Sequence, residues 1–275
     1  MKVVWRPWNR SEEVLKEAYG LNYHWITDGY IVDGYWMKTY NSTSAFDRAE
    51  FRETTLKIIG DSESEAQAAA RIYDWMMGGT YSLGDTTSSL DPPSNILQQD
   101  RISYAEAQIL ITAMLRSVNV PARIITLSNG TDCTLRPMTE FYTADGWYIV
   151  DVKHGFTGSM DEYIASPYFP RLYQLVTKEG YRIVAQAPAT LRGGHEHVDV
   201  TGDFLANLED RLLKTVSERL NPRLHSKLMR VMNDLDENQR LYALFLFASA
   251  PSNDDLNRVL DEYSTEKIEQ DVKTV

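Results

Sequence analysis

Between Ile102 and Asp151 the hydrophobic period changes twice, and the changes predict a helix followed by strands. Ile109, Leu110, Ile111, Met114, Leu115 and Val118 cover more than one helical face, which suits a helix enclosed on all sides. Ser103 with Glu106 three residues later is a capping box, so this helix should begin at Tyr104. Asn119 to Pro121 should end it, because proline cannot continue a helix. Ala122 to Leu127 is short and rich in branched apolar residues, as a core strand is, and Asn129-Gly130 turns the chain. Leu135 to Tyr142 and Trp147 to Val150 read as two more strands around Asp145-Gly146, a dipeptide that accepts positive φ in a tight turn. The expected fold class is therefore α+β, a buried helix packed on an antiparallel sheet.

Upstream, Ser62 and Glu65 suggest another capping box ahead of Ala66, Ala69, Ile72, Tyr73 and Met76, with Gly78-Gly79 as the stop. Thr80 to Asp100, rich in Ser, Thr and Asp, reads as a long exposed loop. The first forty residues hold Trp5, Trp8, Trp25 and Trp36 together with five tyrosines. Such aromatics either pack against the central sheet or present a surface for a protein or sugar. A short helix over Ser11 to Ala18 and short strands between Tyr23 and Tyr40, broken at Asp28-Gly29 and Asp33-Gly34, are expected there.

Downstream, Lys153 to Pro170 reads as an irregular wrap, and Leu172 to Val176 with Tyr181 to Ala185 as a second hairpin. From Asp203 the period becomes helical, with four amphipathic helices: Phe204 to Leu220, Leu224 to Val231, Leu241 to Ala248, and Leu256 to Tyr263. The run LYALFLFASA is apolar all round, so it belongs in the middle of that module or against another subunit. These patterns divide the chain into an aromatic N-terminal extension (1–60), a core (61–192) and a C-terminal helical module (193–275).

Composition narrows the function. The 28 basic and 39 acidic residues give a net charge of -11, which disfavours binding to nucleic acid backbone or an anionic membrane surface. The N-terminal residues lack the apolar core of a signal peptide, so a soluble protein is expected, cytoplasmic or part of an assembled particle. Cys133 is the single cysteine and reads as a small buried or half-buried thiol. His195-Glu196-His197 with Asp199 could offer zinc ligands on one strand face, but the segment follows Arg192-Gly193-Gly194 and lacks a distant further ligand. It reads first as a polar loop, so no metal or cofactor is expected and His195 and His197 are only candidates.

The order of helix, strand, hairpin and strand, with these residues, resembles the core of the transglutaminase-like superfamily, which includes transglutaminases and related peptidases. The resemblance runs from Ser62 to about Asp151. It implies a Cys in the first turn of the core helix, a His on the strand in an HxWxE-like motif, and an Asp after the last strand. In SYAEAQILITAMLRSVNVPAR the cysteine position holds Ala105. In RPMTEF Arg136 stands in the His place, Met138 in the Trp place, and Glu140 is kept; in GWYIVD the Asp is Asp151.

A methyl group has no lone pair to attack with, and a guanidinium stays protonated and cannot act as a base. The implied function is a non-catalytic relative serving as a binding or structural subunit for a protein partner or assembly. The alternative is an active cysteine transamidase or peptidase whose nucleophile has been replaced by Ala105. A metal-dependent hydrolase built on His195 and His197 is a third class. His154, three residues after Asp151, reads as a solvated loop histidine.

Overall fold

The computed structural model describes residues 12–19, 31–32, 35–36, 49–85, 93–129, 135–166, 168–169, 172, 176, 179–186, 197–248, 250 and 252–262. The chain divides into two compact units, residues 1–163 with 181–199, and residues 164–180 with 200–275.

The first unit opens with helix α1 (Glu12–Tyr19) and a hairpin, β1 (Ile31–Val32) paired with β2 (Tyr35–Trp36). Two of the short strands expected between Tyr23 and Tyr40 are thus present, while Asp28-Gly29 and Asp33-Gly34 lie outside the described residues. Trp5, Trp8 and Trp25 lie outside the described residues. Helices α2 (Ala49–Ile59) and α3 (Glu65–Trp75) follow. The α3 cap is Ser64, which accepts from the Gln67 amide, while Gln67 Oε1 accepts from the Glu63 amide at 2.6 Å. Ser62, the expected cap, instead donates to the Ile59 carbonyl at 2.6 Å. The cap thus falls two residues later, with Gln67 reaching back past it to the Glu63 amide, because Ser62 is occupied closing α2, an unexpected helix. α3 runs into a π-turn, Met76–Thr80, where Gly79 has φ +95°.

The stretch expected as one loop holds regular structure: β3 (Ser82–Gly84) pairs in parallel with β4 (Arg101–Ser103), and a short α4 (Pro93–Ile96) lies between them. Helix α5 (Tyr104–Ser117) then starts on the predicted box. Ser103 Oγ accepts from the Glu106 amide at 3.1 Å, and Glu106 Oε2 accepts from the Ser103 amide at 2.9 Å. Every α5 residue from Glu106 to Ser117 is buried, which explains why its apolar residues do not keep to one stripe.

Strands β5 (Ala122–Ser128), β6 (Leu135–Thr143), β7 (Gly146–Asp151), β8 (Phe156–Ser159), β9 (Arg182–Gln186) and β10 (His197–Asp199) form one antiparallel sheet in the order β10-β9-β5-β6-β7-β8. Two expectations are corrected. The segment after Asp151 is an edge strand and a short helix α6 (Met160–Ile164), since Ser159 Oγ accepts from the Glu162 amide at 3.2 Å and caps it. β9 pairs with β5 and β10, while Leu172 and Val176 have helical backbone, so no second hairpin forms.

Helix α5 packs on one face of this sheet, and Ile109, Leu110, Ala113, Met114, Ile124, Phe141, Val150 and Val152 share one apolar cluster. A polar stitch crosses it: Thr139 Oγ1 lies 2.9 Å from Thr112 Oγ1 and donates to Gln108 Oε1 at 2.8 Å. Helix α2 joins the same core, with Ser117 Oγ donating to Thr55 Oγ1 at 3.2 Å.

The second unit is helical: α7 (Thr201–Arg219), α8 (Pro222–Asn233), α9 (Glu237–Ala248) and α10 (Asn253–Glu262), close to the predicted spans. The apolar run lies in α9, where Leu241, Ala243, Leu244 and Phe247 are buried. Residues 164–180 belong here, with the Phe169 ring 6.0 Å from that of Phe245 and tilted 50° to it. No helix among the described residues is long and apolar enough to cross a membrane.

Candidate functional site

The site is organised by Asp151, the last residue of β7. Successive strand residues face opposite sides of a sheet. Val150 and Val152 enter the cluster beneath α5, so Asp151 faces the other way, beside Met138 and Tyr163. It is completely buried, and a carboxylate in that environment needs partners.

Arg136 supplies a cation. Ile125 pairs with Met138 and Leu127 with Leu135, so Arg136 and Pro137 together stand opposite the single Thr126. This is a β-bulge, which bends a strand and re-aims a side chain. Arg136 adopts φ +47° there, in the left-handed region that a side chain makes costly. Its Nη2 lies 3.7 Å from Asp151 Oδ2 and donates to the Tyr163 hydroxyl at 3.0 Å.

Tyr163 comes from α6 and is itself fully buried. It has one proton to donate, and the carboxylate oxygen 3.2 Å away is a far better acceptor than the Met138 sulfur at 3.3 Å. Burial, with Asp151 beside it, pushes the phenol well above its ordinary range, and Arg136 opposes this in part. Tyr163 is therefore a neutral donor.

The fourth member was misread from sequence. His154 is half-buried, and its Nδ1 lies 2.8 Å from Asp151 Oδ2, while its backbone amide donates to Oδ1 at 3.2 Å. The turn is closed by the Gly155 amide donating to the Val152 carbonyl at 3.2 Å, with Gly155 at φ +69°. The correction follows from spacing. In DVKHG the turn folds residue i+3 back over the carboxylate of residue i, so proximity in sequence created the contact. Tyr163 had no comparable signal, because the α6 cap that positions it falls in a segment read as irregular.

Helix α5 runs in the same direction as β6. Gln108 and Thr112 meet Thr139, and near the helix C-terminus Arg116 Nε donates to the Ala122 carbonyl while Ala122 pairs with Phe141. The first turn of α5, carrying Ala105, therefore lies toward the Arg136 end of β6. Consistent with this, Lys153 Nζ sits 5.9 Å from the Tyr104 ring. Ala105 is partly buried against the core cluster. Glu140, the retained acid, pairs with Arg123 at 2.7 Å across β5 and β6, and the Arg123 guanidinium stacks 4.4 Å over Trp147.

Of the remaining candidates, Cys133 and His195 lie outside the described residues. The His197 backbone pairs with Gln186, and Asp199 faces Arg182 at 3.5 Å. No group of three His, Cys, Asp or Glu among the described residues could hold a metal ion.

In comparison with known proteins, the sequence profile of the transglutaminase-like superfamily matches residues 52–152. Neither the curated proteins nor the solved structures give a match.

Proposed function

Because residues 52–152 carry the core of the transglutaminase-like superfamily, we propose that this chain is a non-catalytic relative, acting as a binding or structural subunit for a protein partner or a larger assembly. The observation that carries the reading is the pairing of Arg136 with Asp151. In the family chemistry the acid orients an imidazole that draws a proton from a thiol. Here the acid is engaged by a permanent cation from the imidazole's strand position, and Ala105 has no atom to attack with. The N-terminal sequence, with Trp5, Trp8, Trp25 and Trp36, has the aromatic composition that protein contacts favour.

A second reading has one observation in its favour. The hydrogen bond between His154 and Asp151 is what a cysteine transamidase or peptidase with its nucleophile replaced would keep. One experiment separates the two. The chain and its Ala105→Cys variant are assayed for amine incorporation into a glutamine substrate and for peptide hydrolysis. The non-catalytic reading expects both to match the uncatalysed rate, and turnover by either would overturn it.

A further inference from the structure

We propose that helix α8 (Pro222–Asn233) is a docking face for an acidic helical segment of a protein partner, with Arg223 and Arg230 as its contact residues. The proposal deepens the binding-subunit reading above and rests on it.

The helix has two sides. Leu228, Val231 and Met232 are buried in the helical unit, while Arg223, Ser226 and Arg230 are exposed on the other side. Seven residues make about two turns, so Arg223 and Arg230 project the same way, about 10 Å apart along the axis. Lys227 lies on that side between them, one turn from Arg223. No Asp or Glu occurs from Pro222 to Asn233, although the chain holds 39 acidic residues against 28 basic ones. The next acid is Asp234, at the C-cap.

This arrangement has local costs and no local return. Arg223 is the second residue of α8, where the positive end of the helix dipole opposes a cation. Like charges four residues apart, as at Arg223 and Lys227, repel as well. Elsewhere in the unit guanidiniums meet acceptors. Arg219 donates to the Ala248 and Ala250 carbonyls at 3.1 and 2.7 Å, Arg240 pairs with Glu209 at 3.0 Å, and Arg258 pairs with Asp255 at 2.9 Å. The Arg223 and Arg230 side chains make no such bond among the described residues. Exposed guanidiniums that neither stabilise their helix nor pair within the chain are complementary to carboxylates from outside it.

The chemistry selects the partner. A basic amphipathic helix that lies on a membrane buries its apolar side in lipid, and here that side is already inside the unit. Nucleic acid binding needs several phosphates neutralised together, and the net charge of -11 opposes it. The same net charge opposes a second copy of the chain. An acidic helix with carboxylates spaced by four and then three residues repeats every 4.5 to 6 Å or about that, the spacing of positions 223, 227 and 230. The rest of the chain repels such a helix, so this face sets where it docks.

The test uses the full chain and a labelled alanine-based helical peptide with glutamates at spacings of four and three, read by fluorescence anisotropy beside a glutamine version. The glutamate peptide should bind at low salt and weaken as salt rises, and the glutamine peptide should not bind. Arg230→Gln should weaken binding about threefold, and Arg223→Gln with Arg230→Gln about tenfold, one and two exposed ion pairs having been lost. Lys214→Gln removes a positive charge from α7, where Asp210 and Glu218 stand one turn to either side, and should leave binding unchanged. All three positions are exposed, and relief of like-charge repulsion should keep the thermal midpoint of the double variant at or above that of the native chain, so lost binding is not unfolding.

The proposal is overturned if the two peptides bind alike, if neither binds, or if Lys214→Gln weakens binding as much as Arg230→Gln. It is equally overturned if what the double variant loses is self-association in sedimentation, or binding to a DNA duplex or to phosphatidylserine vesicles, with the peptide unbound throughout. Turnover is a separate readout: it would sink the non-catalytic reading and leave peptide binding where it stands, and a peptide that fails to bind leaves the turnover assay untouched.

Discussion

Arg136 sits in a bulge, at positive φ, and before a proline, three conditions under which a protein seldom keeps a long side chain. What holds it is the buried carboxylate it faces. Removing one partner of a buried ion pair costs about 3–5 kcal/mol. Here Tyr163 and His154 remain on the acid, so Arg136→Met should cost about 2–3 kcal/mol in the denaturation midpoint. Arg136→Gly should recover about 1 kcal/mol of that, because glycine removes the left-handed penalty. Equal costs for the two would mean that the backbone there is unstrained. Buried phenols bear on the alkaline limb. Burial raises Tyr81 to about 12 from an ordinary value near 10. Above pH 10 the unfolded chain releases that proton while the folded chain keeps it, so stability falls as pH rises toward 12. Tyr81→Phe should make the decline between those values shallower, as read by urea midpoints at each pH.

At the scale of elements, the sequence was most legible where local chemistry and tertiary packing agree. Ser103 and Glu106 announced α5, and apolar residues on more than one of its faces announced its enclosure; both follow from side chains that satisfy the helix end and its core. Legibility failed where two local solutions competed. Ser62 and Ser64 each precede an acceptor by three residues, and only the end of α2 decides between them. The parallel pairing of β3 with β4 joins residues about twenty positions apart and leaves no short-range mark. At the end of α3 two adjacent glycines look alike in sequence but differ in backbone. A methyl group added at Gly78 or Gly79 would meet nothing within 4 Å, so only conformation separates them. Gly79, at φ +95°, should lose about 1–2 kcal/mol on substitution by alanine. Gly78→Ala should gain about 0.4–1 kcal/mol by restricting the unfolded chain. Thermal melts of the two variants shifting in the same direction would contradict this.

At the scale of the molecule, the chain does not finish one unit before starting the other. It leaves the sheet unit after Tyr163, gives residues 164–180 to the helical unit, returns for β9 and β10, and then completes the helices. The sequence pattern puts the boundary at 192–193, in the glycine-containing stretch ahead of the helical period that begins at Asp203, while membership of a core depends on contacts between distant segments. Phe169, Leu172 and Val176 are buried within the helical unit, and Phe169 meets Phe245. A chain ended after residue 192 would lose those helices and the β10 edge strand that pairs with β9. Three large apolar side chains would then lack a core, with about 1.5–3 kcal/mol of burial lost for each. Such a chain should bind a hydrophobic dye strongly and be cut by protease within 164–180, where the full chain resists. If the shortened chain instead remains dye-silent and protease-resistant, residues 164–180 do not depend on the helices for their burial.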